Sequence, residues 1–578
     1  MLTTLVLAAA LAPPVNWIDG DRDLDATAWT AVGLESAVNF DVSGIPFRKG
    51  LRVSFRSVPG ATPWSIQLGR LVDHPVRSGD TIYFRAWLRS PQRCPTTFIF
   101  EQASEPHTKF LSAVASPGPE WREFRFAGRV GRDYEPGQTQ LKFFVGGSSG
   151  TVEIAGVRVS NLGPNPPAGA IQETLVLYPA GDPPATWYRE ADRRIDRIRK
   201  GDLVVRVVDS RGRPVPDAEV SVVQKRHAFR FGTAVPAALV VDRSPDGDRF
   251  REVLTRLFNT VTFENDLKWQ MADWGINQQA IDEAIRWLKA RGFDIRGHCL
   301  VWGDYSNLPR FVRDLDKEGK IQALRQRIAE QAGRYKGRVY VWDVVNEAVT
   351  NTRLWDDIGW EWFERSFRLT READPKVLLA YNDFSITTEA ATGPAHRKKA
   401  IELAKRVRQS GNPIDIFGDQ AHLGLPATRP DRCWEIWDEV ARETGCNVEI
   451  TEFDFSTFND DVQARFVRDY LTAAFSHPKV VGFVMWGFWE GSHWLADRGG
   501  AMIRRDWSWR PGMIVFEELV KKRWWTNETR KTSSAGRASV RAFYGTHVVT
   551  VRKGNTTAEA TVELRPGSKG EVTVRLAR

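Results

Sequence analysis

Val339-Tyr340-Val341-Trp342-Asp343-Val344-Val345-Asn346-Glu347-Ala348 reads as a buried β-strand that ends on an amide and a carboxylate. A run of Val, Tyr and Trp has strand composition, and the C-terminal ends of strands are where an α/β barrel places its chemistry. A run of the same design, Asn447-Val448-Glu449-Ile450-Thr451-Glu452-Phe453-Asp454, follows roughly a hundred residues later. Around these two, strand-like and amphipathic helical segments alternate from Phe229 onward, the pattern of parallel strands joined by crossover helices. Eight strand candidates can be counted: Phe229–Ala234, Thr260–Glu264, Asp294–Trp302, Val339–Glu347, Val377–Asp383, Asp415–His422, Asn447–Asp454 and Val480–Gly487. Segments such as Ile281–Ala290 and Ile321–Gly333 supply the helices. Eight such units over roughly 290 residues make a (β/α)8 TIM barrel.

Two strand-end carboxylates facing one cleft are the apparatus of glycoside hydrolysis, one as acid/base and the other as nucleophile. Taken alone, either Glu347 or Glu452 reads as well as an ordinary rim charge; their neighbours decide. The stretches Trp-Asp-Val-Val-Asn-Glu-Ala and Ile-Thr-Glu-Phe-Asp resemble the two catalytic signatures of glycoside hydrolase family 10, the xylanases. That resemblance implies a retaining endo-β-1,4-xylanase with Glu347 as acid/base, Glu452 as nucleophile, and neither metal nor organic cofactor. Phe258 to Trp269 resembles the family's strand-two motif, in which Glu264, Asn265 and Lys268 would bind hydroxyls of the sugar one step from the cleaved bond. Phe263 stands where the family usually has Pro. Arg296 to Trp302 resembles the strand-three motif, with His298 and Trp302 lining the subsite of the reacting sugar. Asn346 would hydrogen-bond the sugar 2-OH. Gln420 and His422 match the strand-six pair, His422 orienting Glu452 and holding it ionised. Trp486 and Trp494 match the two tryptophans that wall the cleft.

Two departures stand out. A second His usually follows the strand-three Trp, and here the position is Gly303, so one donor is missing near the reacting sugar. The stretch Gly487 to His493 also differs from the usual residues. A lone Trp or His would more often be core than ligand; these recur at strand C-termini, where barrel sites are built.

The flanks are β-rich. Residues 15–162 show short alternating strands such as Asp80 to Arg89 and Glu120 to Phe126, a β-sandwich. Their order resembles the jelly-roll carbohydrate-binding modules that precede family 10 catalytic domains. Trp64, beside Pro63, is the candidate sugar platform, while Trp87 and Trp121 are assigned to core packing. Residues 163–187 read as a Pro/Gly-rich linker. Residues 188–226 read as a small β-hairpin extension, Leu203–Val208 returning through Gly212-Arg213-Pro214 to Glu219–Val223. The catalytic domain takes 227–523, and 524–578 a small C-terminal β-module or an extension of the hairpin region. Residues 1–14 resemble a short signal peptide, without a basic n-region, which predicts a secreted or periplasmic protein.

At 578 residues the chain suits three or so domains, and no apolar run approaches the roughly 20 residues of a membrane span. Of the net charge of +9, six units fall after Trp524, where ten basic residues face four acidic ones. Spaced along the tail rather than run together, they read as a solvated face. Cys94, Cys299, Cys433 and Cys446 have no metal-site spacing, and Cys433 and Cys446 sit too far apart along one helix to bridge. The expected partner is xylan or a related β-1,4-linked plant polysaccharide, with no nucleic acid, for a monomer. The rivals are a retaining hydrolase of another β-glycan or of short xylo-oligosaccharides, and a non-catalytic glycan-binding protein.

Overall fold

The computed structural model describes residues 15–18, 24–58, 62–164, 166, 170–174, 177–179, 181–275, 277–389 and 392–577. The leader-like residues 1–14 lie outside these, as does part of the expected linker. The chain forms two compact units, one of residues up to 179 with 456–462 and 494–500, the other of 180–455, 463–493 and 501–578.

In the first unit two antiparallel sheets share one core. One runs in the order Ser36–Asp41, Lys49–Phe55, Gly150–Asn161, Thr81–Arg89, Arg122–Arg129; the other Thr30–Val32, Gln67–Val72, Thr139–Phe144, Thr96–Gln102, Lys109–Ala115. The alternation along Thr81–Arg89 buries Ile82, Phe84, Ala86 and Leu88, and Phe84, Phe98 and Phe143 meet edge to face with centroids 4.8–5.3 Å apart. Trp87 is therefore on the outer face of its sheet, with Arg85 and Arg89, and not in the core. Trp121 is only half-buried. It stacks on Phe40 at 6.4 Å, and the Arg89 guanidinium lies 4.8 Å from its ring. Trp64 is 58% exposed.

In the second unit eight parallel strands close on themselves: Arg230–Val235, Thr260–Phe263, Asp294–Gly297, Val341–Asn346, Leu378–Asp383, Ile416–Asp419, Asn447–Ser456 and Val480–Met485. Short strands Val301–Trp302 and His422–Gly424 extend the sheet at its C-terminal rim. Local signals explain the connecting helices. Gln278–Ala290 is capped by the Asn277 side chain on Ala280 N–H and buries Ile281, Ala284, Ile285 and Leu288, the spacing of one helix face. Pro430–Thr444 starts on Pro and stops at Gly445, whose φ of 70° only glycine adopts without cost. All four cysteines are free and buried.

The segments either side of the barrel pair with each other. Lys200–Val208 lies antiparallel to Arg537–Phe543 and parallel to Glu571–Arg575, while Glu219–His227 lies between Asn527–Lys531 and Gly545–Lys553. The expected hairpin is thus replaced by a two-sheet arrangement. The chain turns tightly at Asp209–Arg213, with Val215 N–H on Val207 O at 3.1 Å, then its two strands part into different sheets around Leu203, Val205, Val220, Val222, Val549 and Val551. Each fully buried Val or Leu of such a core contributes about 1.5–3 kcal/mol, and no single segment could bury them alone. Part of the tail's basic charge is met locally, by Glu528 on Arg530, Glu563 on Arg565 and Asp202 on Arg541.

Candidate active site

The site grows from the inside of the barrel outward. Arg296, fully buried, forms ion pairs with Asp343 and Glu449, and Tyr340 donates its hydroxyl to Glu449 at 2.7 Å. A buried charge is tolerable only when paired and hydrogen-bonded, and here two carboxylates surround one guanidinium. Asp343 uses its other oxygen to hold His298 Nδ1 at 2.9 Å. The period of two along a strand would send Asp343 and Asn346 to opposite faces. A register irregularity between Asp343 and Val345 lets both side chains reach the polar network.

Asn346 and Glu347 end the fourth strand. Glu347 has a φ of 55°, a left-handed conformation that costs a non-glycine residue about 1 kcal/mol. Its turn is braced by Glu347 N–H on Asn382 O at 2.8 Å and by Asn351 N–H on Glu347 O at 2.9 Å. Neutral amides surround its carboxylate. Gln420 Nε2 and Asn346 Nδ2 donate to Oε1 at 2.9 and 3.2 Å, and Asn351 Nδ2 to Oε2 at 3.2 Å.

Glu452, on the seventh strand, is 4% exposed. Asn382 Nδ2 donates to its Oε1 at 2.7 Å and to Asn346 Oδ1 at 2.9 Å, with the Asn382 amide oriented by the Thr451 hydroxyl at 2.7 Å. His422 Nε2 meets Glu452 Oε2 at 3.2 Å, and His422 Nδ1 meets Asp454 at 2.9 Å. His298 Nδ1 lies 3.9 Å from Glu452 Oε1. Trp486, buried, meets both imidazoles edge to face, with centroids 5.1 Å from His298 and 6.2 Å from His422. Lys268 Nζ donates to Asn265 Oδ1 at 2.9 Å and sits 5.2 Å from the Trp302 ring, with Trp302 paired in register to Asn346.

Electrostatics separate the two carboxyls. Burial pushes Glu347 up to about 7; the Gln420 hydrogen bond opposes this and the charges of Glu452 and Asp383 add to it. Burial acts the same way on Glu452, but His298, the His422 hydrogen bond and charge, and Lys268 together bring it down to about 2. Burial would lower His422, yet Asp454 and Glu452 carry it up to about 10. Glu264 is raised by burial, with Lys268 opposing. Near neutral pH such a pair offers one carboxyl able to give a proton and one able to attack as an anion.

Ten of the twelve expected residues besides Glu264 and Trp494 are thus joined by hydrogen bonds, ring contacts or strand register, and Lys268 ties Glu264 in electrostatically. Trp494 is 51% exposed, in the stretch 494–500 that clusters with the first unit. Asn382, Asp454, Arg296 and Asn351 were not singled out from the sequence. A signal existed for two of them, Asn382 in the polar strand end Tyr381-Asn382-Asp383 and Asp454 two residues after Glu452. Nothing in the local pattern marks Asn351. Among the described residues no group of His, Cys, Asp and Glu could hold a metal ion.

Residues 221–511 match the model of glycosyl hydrolase family 10, half of the chain. The chain belongs to glycosyl hydrolase family 10. This family 10 chain is 30% identical over 368 residues to the anti-sigma-I factor RsgI6 of Acetivibrio thermocellus, covering 63% of this chain and 46% of that protein. It is 25% identical over 332 residues to endo-1,4-beta-xylanase 1 of Arabidopsis thaliana, covering 54% of this chain and 34% of that one. It therefore spans less than half the length of either relative. The crystal structure of xylanase 10B from Thermotoga petrophila with xylobiose is matched at 26% identity and a TM-score of 0.46, over 51% of this chain and 95% of that chain.

Proposed function

We propose that this family 10 chain is a retaining endo-β-1,4-xylanase. The observation that carries the reading is two barrel carboxyls joined through one set of amides, Gln420 donating to Glu347 and to Asn346, and Asn382 donating to Glu452 and to Asn346, with Glu347 pushed up to about 7 and Glu452 down to about 2. In this mechanism Glu452 attacks the anomeric carbon while Glu347 protonates the leaving glycosidic oxygen. Water, deprotonated by Glu347, then displaces Glu452, and two inversions give net retention. Asn346, whose Oδ1 accepts from Asn382 and Gln420, meets the 2-OH in this reading, a contact that strengthens as the oxocarbenium-like state forms. Glu264, Asn265 and Lys268 take hydroxyls of the neighbouring sugar, and His298, Trp302 and Trp486 enclose the reacting one.

The test is a product profile on glucuronoxylan for wild type and Glu452→Ala. Short xylo-oligosaccharides from the wild type and none from the variant are expected. Release by both would remove Glu452 from its role. The rival reading is glycan binding without turnover. Xylan retention with no sugar released by the wild type would select it. For the first unit, the exposed Trp64 supports glycan binding; Trp64→Ala should weaken retention on insoluble xylan, and unchanged retention would dismiss it.

A further inference from the structure

Gly303 looks in the sequence like a lost donor, yet the space a side chain would need there is filled. A Cβ on Gly303 would lie 2.7 Å from the carbonyl oxygen of Asn351, 2.7 Å from Trp355 Nε1 and 3.1 Å from Trp355 Cε2. Leu354 N–H donates to Gly303 O at 2.8 Å, so the loops after the third and fourth strands are joined at this glycine. A second link is Asn307 Nδ2 on Asn351 Oδ1 at 3.2 Å. Held from behind, the Asn351 amide turns its Nδ2 to Glu347 O at 3.1 Å, Glu347 Oε2 at 3.2 Å and Thr350 Oγ1 at 3.1 Å.

The two oxygens of Glu347 are not equivalent. Oε1 accepts from both Gln420 and Asn346, so a proton on the neutral carboxyl belongs on Oε2. Among the described residues, Asn351 is the hydrogen-bonding group at that oxygen. Resting on the reading of Glu347 as acid/base, we propose that Asn351 is a positioning residue that orients the proton-bearing edge of Glu347, and that position 303 is glycine so that the 351–355 segment can reach it.

An N–H donor favours the ionised carboxylate over the acid. Glu347 is otherwise faced by the charges of Glu452, Asp383 and His422, none of which Asn351→Ala alters. The experiment compares pH profiles of kcat/KM for wild type, Asn351→Ala and Asn307→Ala on xylan and on an aryl xylobioside with a good leaving group, with thermal melting as a folding control. For Asn351→Ala, xylan turnover should fall about 10- to 100-fold, within the range general acid catalysis supplies. The aryl substrate should suffer much less, and the basic limb should move to higher pH. Asn307→Ala, which frees the far side of the amide without touching Glu347, should give a smaller shift in the same direction. Gly303→His should lower activity by displacing Asn351, not restore a donor. Equal losses on both substrates with an unmoved basic limb would overturn the proposal, as would a gain from Gly303→His. A wild type inactive on every glycan would instead strike at the xylanase reading itself.

Discussion

Glu347 and Glu452 belong to two stretches of the same design, on the fourth and seventh strands of the barrel, and burial pushes both carboxyls upward. They differ in what donates to them. Around Glu347 stand three neutral amides, from Asn346, Gln420 and Asn351; around Glu452 stand an amide and an imidazolium held by Asp454, with His298 and Lys268 near by. Amides satisfy an oxygen without adding charge, so burial wins at Glu347. At Glu452 the cations win. The charge of their donors, not their depth in the barrel, thus sets two carboxyls of one type apart, as the proposed division into acid and nucleophile requires.

The comparison breaks most sharply at Glu452. Glu452→Ala should abolish turnover of xylan and of activated aryl glycosides alike, by about 10⁴-fold or more, the scale on which loss of a nucleophile is felt. Glu347→Ala should separate the substrates. Xylan hydrolysis should drop about 10²- to 10⁴-fold, while formation of the glycosyl-enzyme from a substrate with a good leaving group is largely spared. Equal losses on both would deny Glu347 its acid role. In the wild type, activity should fall as pH rises through about 7, where Glu347 loses its proton, and as pH falls towards about 2, where Glu452 gains one. A rate profile flat across pH 6 to 8 would contradict that assignment.

The next effect is on stability and touches only the Glu452 side. Arg296→Met leaves Asp343 and Glu449 buried without their cation, and breaking such a pair costs about 3–5 kcal/mol. Denaturant unfolding of the barrel should show the loss. Because Asp343 also holds His298, whatever folded enzyme remains should be impaired at Glu452 more than at Glu347. A variant of unchanged stability would mean that the barrel interior relaxes around the two acids.

The barrel was legible because each strand is a short apolar run bounded by polar residues; the first was expected over Phe229–Ala234 and is found over Arg230–Val235. Glu347 and Glu452 were legible because both carboxylates lie within strand-end motifs. Arg296 was not, since its partners come from other strands, at separations such as the 153 residues to Glu449; Asn351 lies only four residues after Glu347, but no local pattern sets it apart. Trp87 was given the wrong face because alternation shows a period and not its phase, and only the burial of Ile82, Phe84, Ala86 and Leu88 sets the phase. For the segments flanking the barrel the sequence leaves the pairing open, the tail reading as a small β-module or as an extension of the hairpin region. Lys200–Val208 finds its partners more than 300 residues on, at Arg537–Phe543 and Glu571–Arg575, and no local pattern announces such a pairing.

The smallest expected effect is the most specific to the contrast between the two carboxyls. Asp454 touches neither Glu347 nor the oxygens of Glu452; it holds His422 Nδ1 at 2.9 Å and keeps that imidazole charged. Asp454→Asn preserves size and a hydrogen-bonding oxygen while removing the charge. His422 then loses its proton at lower pH than in the wild type, and only above that pH does Glu452 stand without this cationic neighbour. Near pH 4 His422 still carries its proton, so the acid limb of the rate profile should stay close to its wild-type position. The basic limb should move slightly to higher pH, because the His422 charge helps hold the Glu347 carboxyl down. A shift of both limbs would mean that the two carboxyls titrate as one unit, and that neutral and cationic donors do not by themselves divide the work between them.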